Sequence, residues 1–174
     1  MSTGLTPDVV LPRLRGSFGR PYLYERETAS TQRLFPPDAP HGAVALAEHQ
    51  TAGRGRLGRV WLDAPGAGLT FSVLLRPPPP VARWPALTLV AAEAVAGAVG
   101  PAATIKEPND VLLDGRKVAG ILAEAAERVV LGIGVNVGAA PWPGAGMTGA
   151  DRLDLLVEIL ARLEDGYEGW LTDR

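Results

Sequence analysis

Short apolar runs, several of them alternating with polar residues, recur along most of the chain, and helical spacing is confined to a few stretches. Alternation marks a half-buried strand, and a repeat of about 3.6 residues marks a helix. Residues 22–25 read as a first strand. Residues 27–35 read as a turn entering a short helix, with Thr28 or Ser30 able to cap it and Pro36, Pro37 and Pro40 ending it. The apolar run 43–48 suits a buried strand and delivers Gln50 to whatever follows. A strand over 69–75 comes next, then a rigid proline spacer over 77–80 and an apolar helix over 84–99 that starts near Pro85. Residues 103–107 look like a strand end. Asp114-Gly115 between the apolar runs 110–113 and 116–122 predicts a hairpin, because that dipeptide favours the turn whose twist matches the strands. Residues 128–137 add a further strand. Leu153, Leu156, Val157, Leu160 and Leu163 fall on one face of a helix over 151–165. Residues 1–20, broken by prolines and glycines, read as a loose leader, while 63–68 and 138–149 read as turn and loop. Strands outnumber helices and no repeat is visible. The expected fold is therefore α+β, a mixed, mainly antiparallel sheet with helices packed on one side, in one domain over 1–174.

Between two of these strands lies Gly53-Arg54-Gly55-Arg56-Leu57-Gly58-Arg59, with Trp61 just beyond. Arginine offers a planar, permanently charged fork of donors that matches carboxylate and phosphate oxygens, and glycine lets backbone come close to a bound group. The run predicts a mobile anion-binding loop that closes over its ligand. A solvated turn carrying charge is the plainer reading, and the strand-like flanks and large aromatic weigh against it.

Composition narrows the chemistry. The formal net charge is −2, so the arginine run is a local feature and not part of a generally basic surface. The absence of cysteine excludes disulfides, a thiolate nucleophile and Cys-based metal sites, and suits a cytoplasmic protein. Two histidines, His41 and His49, are too few for most zinc sites, and metal ligands stay unassigned. No signal-peptide pattern opens the chain and no apolar run reaches membrane-spanning length. Lysine is scarce, only Lys106 and Lys117, which singles out each of them.

Lys106 belongs to a second constellation, Lys106-Glu107-Pro108-Asn109-Asp110, and Lys117 follows across the predicted hairpin. Lys106, Asp110 and Lys117 either share a pocket or form a strand corner with solvated charges. Ser30-Thr31-Gln32 is a third polar group, suited to a small polar ligand or to helix capping.

Taken in order, these pieces resemble biotin protein ligases. The motifs that carry the likeness are Ala29-Ser30-Thr31-Gln32, the stretch from Ala47 through the arginine run to Trp61, Lys106-Glu107-Pro108-Asn109-Asp110-Val111, Gly115-Arg116-Lys117-Val118-Ala119-Gly120-Ile121-Leu122 and Gly132-Ile133-Gly134-Val135-Asn136-Val137. The likeness spans roughly residues 22–170. One departure is Glu107, where the family usually carries Trp.

The resemblance implies a fold like that of class II aminoacyl-tRNA synthetases and biotin ligases. It also implies a two-step reaction, in which biotin and ATP give biotinyl-5′-AMP and pyrophosphate, and biotin then passes to a lysine of a biotin carboxyl carrier protein. By that resemblance Arg54, Arg56, Lys106 and Lys117 are the catalytic residues. Ser30, Thr31, Gln32, Gln50, Gly53, Arg54, Gly55, Arg56, Lys117 and Gly120 would bind biotin. Arg56, Arg59, Trp61, Asn109, Asp110, Gly132, Gly134 and Asn136 would bind ATP or the adenylate, with Mg²⁺ entering on the ATP phosphates. A homodimer through sheet edges is expected, and neither nucleic acid nor membrane is an expected partner. With no helix-turn-helix ahead of Tyr22 a repressor role is not expected, and the family's small C-terminal barrel is not expected either. Three readings compete: a lipoate ligase-like enzyme, an RNA-binding protein using the Arg/Gly run, and a biotin- or nucleotide-binding module with impaired catalysis.

Overall fold

The structure, a computed structural model, describes residues 4–173. Seven strands form one sheet: β1 (Tyr22–Thr28), β2 (Val44–Gln50), β3 (Gly68–Leu75), β4 (Ala103–Lys106), β5 (Asp110–Leu113), β6 (Arg116–Ala125) and β7 (Val129–Asn136), in the order β1-β2-β3-β7-β6-β5-β4. β1 and β2 pair in parallel and every other pair is antiparallel, as the mixed, mainly antiparallel expectation required. Asp114 (φ 52°) and Gly115 (φ 72°) make the predicted tight turn between β5 and β6.

Strand alternation divides the sheet into two faces. Leu69, Phe71 and Val73 of β3 and Leu131, Ile133 and Val135 of β7 face the helix layer. That layer consists of α2 (Ala86–Val99), which contributes Leu87, Ala91 and Val95, and α3 (Arg152–Thr172), which contributes Leu156, Ile159, Leu160 and Leu163. Each fully buried leucine or phenylalanine there contributes about 1.5–3 kcal/mol of transfer free energy. Thr70, Ser72, Gly132 and Gly134 occupy the opposite face, which the helices leave open. A small second apolar cluster, Phe35, Ala39, Ala45, Leu74 and Val130, closes one end of that open face.

Three expectations need correction. The leader is packed: α1 (Pro7–Val10) buries Val10, Leu5 and Phe18 join the core, and Leu5 N donates to Glu48 Oε1 at 2.8 Å. Residues 1–3 of that segment lie outside the described residues. Its apolar residues are too sparse for any period, so only tertiary contacts order them. The predicted helix at 27–35 shrinks to a single turn at Thr31–Arg33, because β1 continues to Thr28. Ser30 takes the cap position without a side-chain cap bond. α3 runs a full seven residues past Asp165, because Tyr167 and Trp170 continue its buried face. Its N-cap is Asp151, which accepts from Asp154 N at 2.9 Å.

The end of α3 is also where acid should act. His41 packs between Phe18 (ring centroids 5.4 Å apart) and Tyr167 (4.8 Å), and its Nδ1 accepts from Arg76 N at 3.0 Å. Burial pushes the His41 pKa below the usual imidazole value, with Arg76 adding to the depression and Glu164 opposing it. Burial opposes ionisation of Glu164, but hydrogen bonds from Ser17 and Phe18 outweigh it and hold this carboxyl below the usual range. Both folded-state values lie below the unfolded ones, so the folded chain binds fewer protons and stability is lost as the pH is lowered. The His41 contribution is lost downward from about pH 6.5 and that of Glu164 from about pH 4.3. The thermal midpoint should therefore drop between about pH 7 and pH 5, and His41→Gln, which keeps an acceptor, should flatten that slope. Equal slopes in parent and variant would contradict the assignment.

Candidate active site

One row of paired positions crosses the open face: Thr70 of β3 opposes Gly134 of β7, Gly134 opposes Gly120 of β6, Gly120 opposes Asp110 of β5, and Asp110 opposes Lys106 of β4. Cross-strand partners share a face, so five strands place a hydroxyl, two bare glycines, a carboxylate and an ammonium in line. Above this row lies a cavity of about 430 Å³.

Lys117 reaches the same face through an irregularity. Val111 pairs with Ala119 but Leu112 pairs with Lys117, so Val118 is an extra residue in β6. Strict alternation would turn Lys117 toward the helices; the bulge turns it back, and Val118 and Ala119 both enter the core. Its Nζ lies 2.9 Å from Asp110 Oδ1 and 5.6 Å from the centre of the Trp61 ring. Despite that ion pair, Asp110 Oδ1 receives no hydrogen bond of good geometry. It is a buried oxygen whose one close partner is the Lys117 ammonium.

Trp61 lies on the glycine floor. A Cβ on Gly134 would stand 2.3 Å from its ring and one on Gly120 3.2 Å away, so side chains at these positions would exclude it. Trp142, from the loop after β7, meets Trp61 edge-on at 5.8 Å. A Cβ on Gly132 would meet Gln32 at 3.0 Å, and Gln32 Nε2 donates to Leu122 O at 3.0 Å. Glycines assigned to nucleotide contact thus also act by seating Trp61 and Gln32.

The arginine run folds as a small loop over the cleft. Arg54 and Val60 bridge, Gly55 N donates to Arg59 O at 2.8 Å, and Leu57 (φ 58°) and Gly58 (φ 74°) turn the tip. Arg56 Nη1 donates to Asn109 Oδ1 at 3.2 Å, and Arg54 pairs with Glu124. Asn109 is itself fixed to β6, donating to Ile121 O at 3.2 Å and accepting from Ile121 N at 2.9 Å. Arg59 also lines the cavity and is exposed. Trp61 N donates to Gly53 O at 3.0 Å, which closes the loop base.

A polar wall faces the cations. Thr31 N donates to Gln50 Oε1 at 2.7 Å, and the hydroxyls of Thr31 and Ser72 share a 2.7 Å bond. Ser30 stands beside them, buried and free of the capping role. Asp63 organises this corner by accepting from Gln50 N at 2.9 Å and meeting His49 Nδ1 at 2.7 Å.

Of the residues assigned from sequence, Ser30, Thr31, Gln32, Gln50, Arg54, Gly55, Arg56, Arg59, Trp61, Lys106, Asn109, Asp110, Lys117, Gly120, Gly132 and Gly134 line this one cavity. Two do not. Gly53 packs beneath it, where a Cβ would strike Trp61 O at 2.6 Å. Asn136 is buried behind it, its Nδ2 donating to Gly146 O at 3.1 Å and so holding the loop 138–149. Glu107 lines the rim, exposed to solvent. Sequence reasoning missed Asp63, Thr70, Ser72, Glu124 and Trp142. Only the register of β2, β3 and β6, or contacts made by loops, brings them here.

Five cationic side chains, Arg54, Arg56, Arg59, Lys106 and Lys117, line the cavity against two carboxylates, Glu107 and Asp110. A chain of net negative charge therefore concentrates positive charge at one concave site, which favours an anionic ligand or a pair of them. No group of three or more His, Asp or Glu residues suited to hold a metal occurs among the described residues.

Comparison with known proteins agrees with this geometry. A model of the biotin/lipoate A/B protein ligase family matches residues 23–138. The bifunctional ligase/repressor BirA of Bacillus subtilis is 41% identical over 181 residues, covering 88% of this chain and 56% of that protein. The biotin–[acetyl-CoA-carboxylase] ligase of Mycobacterium tuberculosis is 42% identical over 147 residues, covering 74% of this chain and 55% of that protein. The chain thus spans about half the length of the curated relatives it matches. The solved structure of a biotin protein ligase from Aquifex aeolicus, in complex with biotin and ATP, superposes with a TM-score of 0.73 at 33% identity. That match covers 87% of this chain and 72% of that one.

Proposed function

The chain belongs to the biotin/lipoate A/B protein ligase family, and from that premise we propose that residues 1–174 act as a biotin protein ligase catalytic domain. The observation that carries the reading is the convergence of Arg54, Arg56, Lys106 and Lys117, from three separate segments, on one cavity with a hydrogen-bonding wall.

A carboxylate is a poor acylating agent, so the first step makes a mixed anhydride. A biotin carboxylate oxygen attacks the α-phosphorus of ATP, the bond to the bridging oxygen breaks, and pyrophosphate leaves. Two anions must meet, and preorganised cations offset their repulsion and stabilise charge growing on the phosphorus oxygens. Holding both reactants in line supplies effective molarities of about 10⁵ M or more. Lys106, at the end of the row, and Lys117, beside Asp110, take the reacting oxygens, while Arg54 and Arg56 close from above. Ser30, Thr31, Gln32 and Gln50 supply donors and acceptors for the polar ring of biotin. Trp61, with Trp142 beside it, walls the nucleotide, and Arg59 and Asn109 stand at its rim.

ATP enters as its Mg²⁺ complex. Asp110, already paired with Lys117, would be the row's carboxylate facing an ion carried by the phosphates. In the second step the lysine amine of a biotin carboxyl carrier protein attacks the anhydride carbonyl, loses a proton and expels AMP. No helix among the described residues is long and apolar enough to cross a membrane. A cytoplasmic site of action without membrane or nucleic-acid partners is part of the same proposal. The outer strands β1 and β4 offer edges for a homodimer.

The family also includes lipoate ligases, so the substrate acid is the point to test. Exchange of labelled pyrophosphate into ATP should require biotin and proceed neither with lipoate nor without an acid. Lipoate-dependent exchange would replace the reading, and no exchange with either acid would leave a binding module.

A further inference from the structure

Glu124 has no part in the chemistry above, yet it shares the open face of the sheet with the cleft. Its partner in the sheet is Val130, two positions along from the Leu122–Gly132 pair, so it stands on the open face of β6. It pairs with Arg54, which lies on the loop and at the bridge to Val60. The base of that loop is fixed by backbone bonds from Thr51 N to Thr28 O and from Ala52 N to Ala29 O, each 2.9 Å. Beyond the base, its arginines touch the sheet region at two separate points, Arg56 on Asn109 and Arg54 on Glu124.

We propose that Glu124 is a positioning residue, a counter-ion that latches the arginine loop over the cleft before ligand arrives and slows escape of the adenylate afterward. The claim about the adenylate rests on the biotin ligase reading, but the latch itself does not. Both side chains are about two-fifths exposed, at 39% and 40%. Such a pair is weak and screened by salt, which lets the loop open for substrate while biasing it shut. Because the carboxylate is fixed on a strand and the guanidinium stands on a surface loop, the pair orders the loop and leaves the core unaffected.

The loop carries its own reporter, since Arg54, Arg56 and Arg59 are trypsin sites. Limited digestion of the ligand-free chain at low salt should cut after Arg56 and Arg59 about three- to fivefold faster in Glu124→Gln than in the parent. Glu124→Asp should restore most of the protection. Added salt should raise the parent's rate toward that of Glu124→Gln and leave the variant unchanged, while melting temperatures stay equal. In the second arm, dissociation of preformed biotinyl-adenylate should quicken by a similar factor in Glu124→Gln, and adding Glu124→Gln to Arg54→Ala should quicken it no further. Parental cleavage rates in Glu124→Gln, or effects of the two substitutions that multiply, would overturn the latch. If no adenylate forms in any variant, the ligase reading fails, and the digestion arm alone decides on Glu124.

Discussion

Replacing Lys117 by Gln should slow formation of biotinyl-adenylate by about 10²- to 10³-fold, the effect of removing one preorganised donor from a charged transition state. Lys117 is the cation that the β6 bulge turns onto the open face, and it lies between Asp110 Oδ1 at 2.9 Å and the Trp61 ring at 5.6 Å. Glutamine keeps a neutral donor on a side chain one bond shorter and loses the charge. Biotin affinity should therefore fall much less than the single-turnover rate, because the missing charge matters most when the phosphorus oxygens gain theirs. Rapid-quench measurement of adenylate formation at saturating biotin and ATP checks this. A rate within about threefold of the parent would remove Lys117 from the reacting centre.

The second large effect is steric. Gly134→Ala places a Cβ 2.3 Å from the ring of Trp61, and a rigid indole cannot yield as a flexible chain end would. Either Trp61 leaves the floor or strands β6 and β7 distort, at about 1–3 kcal/mol. Trp61→Ala removes the obstacle, so in that background Gly134→Ala should cost less than about 0.5 kcal/mol. Urea unfolding of the four proteins measures both values. An equal cost in the two backgrounds would contradict the seating of Trp61 by Gly134.

Much of this site was legible before any coordinates, for a physical reason. Anion binding concentrates arginine, glycine and lysine in short segments, and a run such as 53–59 has few structural uses. Strand runs and the Asp114-Gly115 turn were legible because burial and turn geometry are local. What alternation could not yield was the facing of Lys117, because the bulge adds one residue without leaving a mark in composition. Asn136 carried a polar label that suggested a ligand, yet its amide ties the chain to Gly146. The leader misled for the opposite reason. Pro7 and Pro12 break periodicity, but Leu5, Val10 and Phe18 bury without needing any. Glu124 and Asp63 are ordinary charges until register and loop closure give them partners.

Positive groups from the arginine loop, the Lys106 corner and the β6 bulge meet at one place, where the proposed function has an acid and ATP condense. A native mass spectrum of the chain with biotin and MgATP tests this directly. One bound biotinyl-AMP per chain in the parent, and its loss in Lys117→Gln, is the predicted result. Biotin and ATP bound side by side in the parent, with no condensed product, would contradict it.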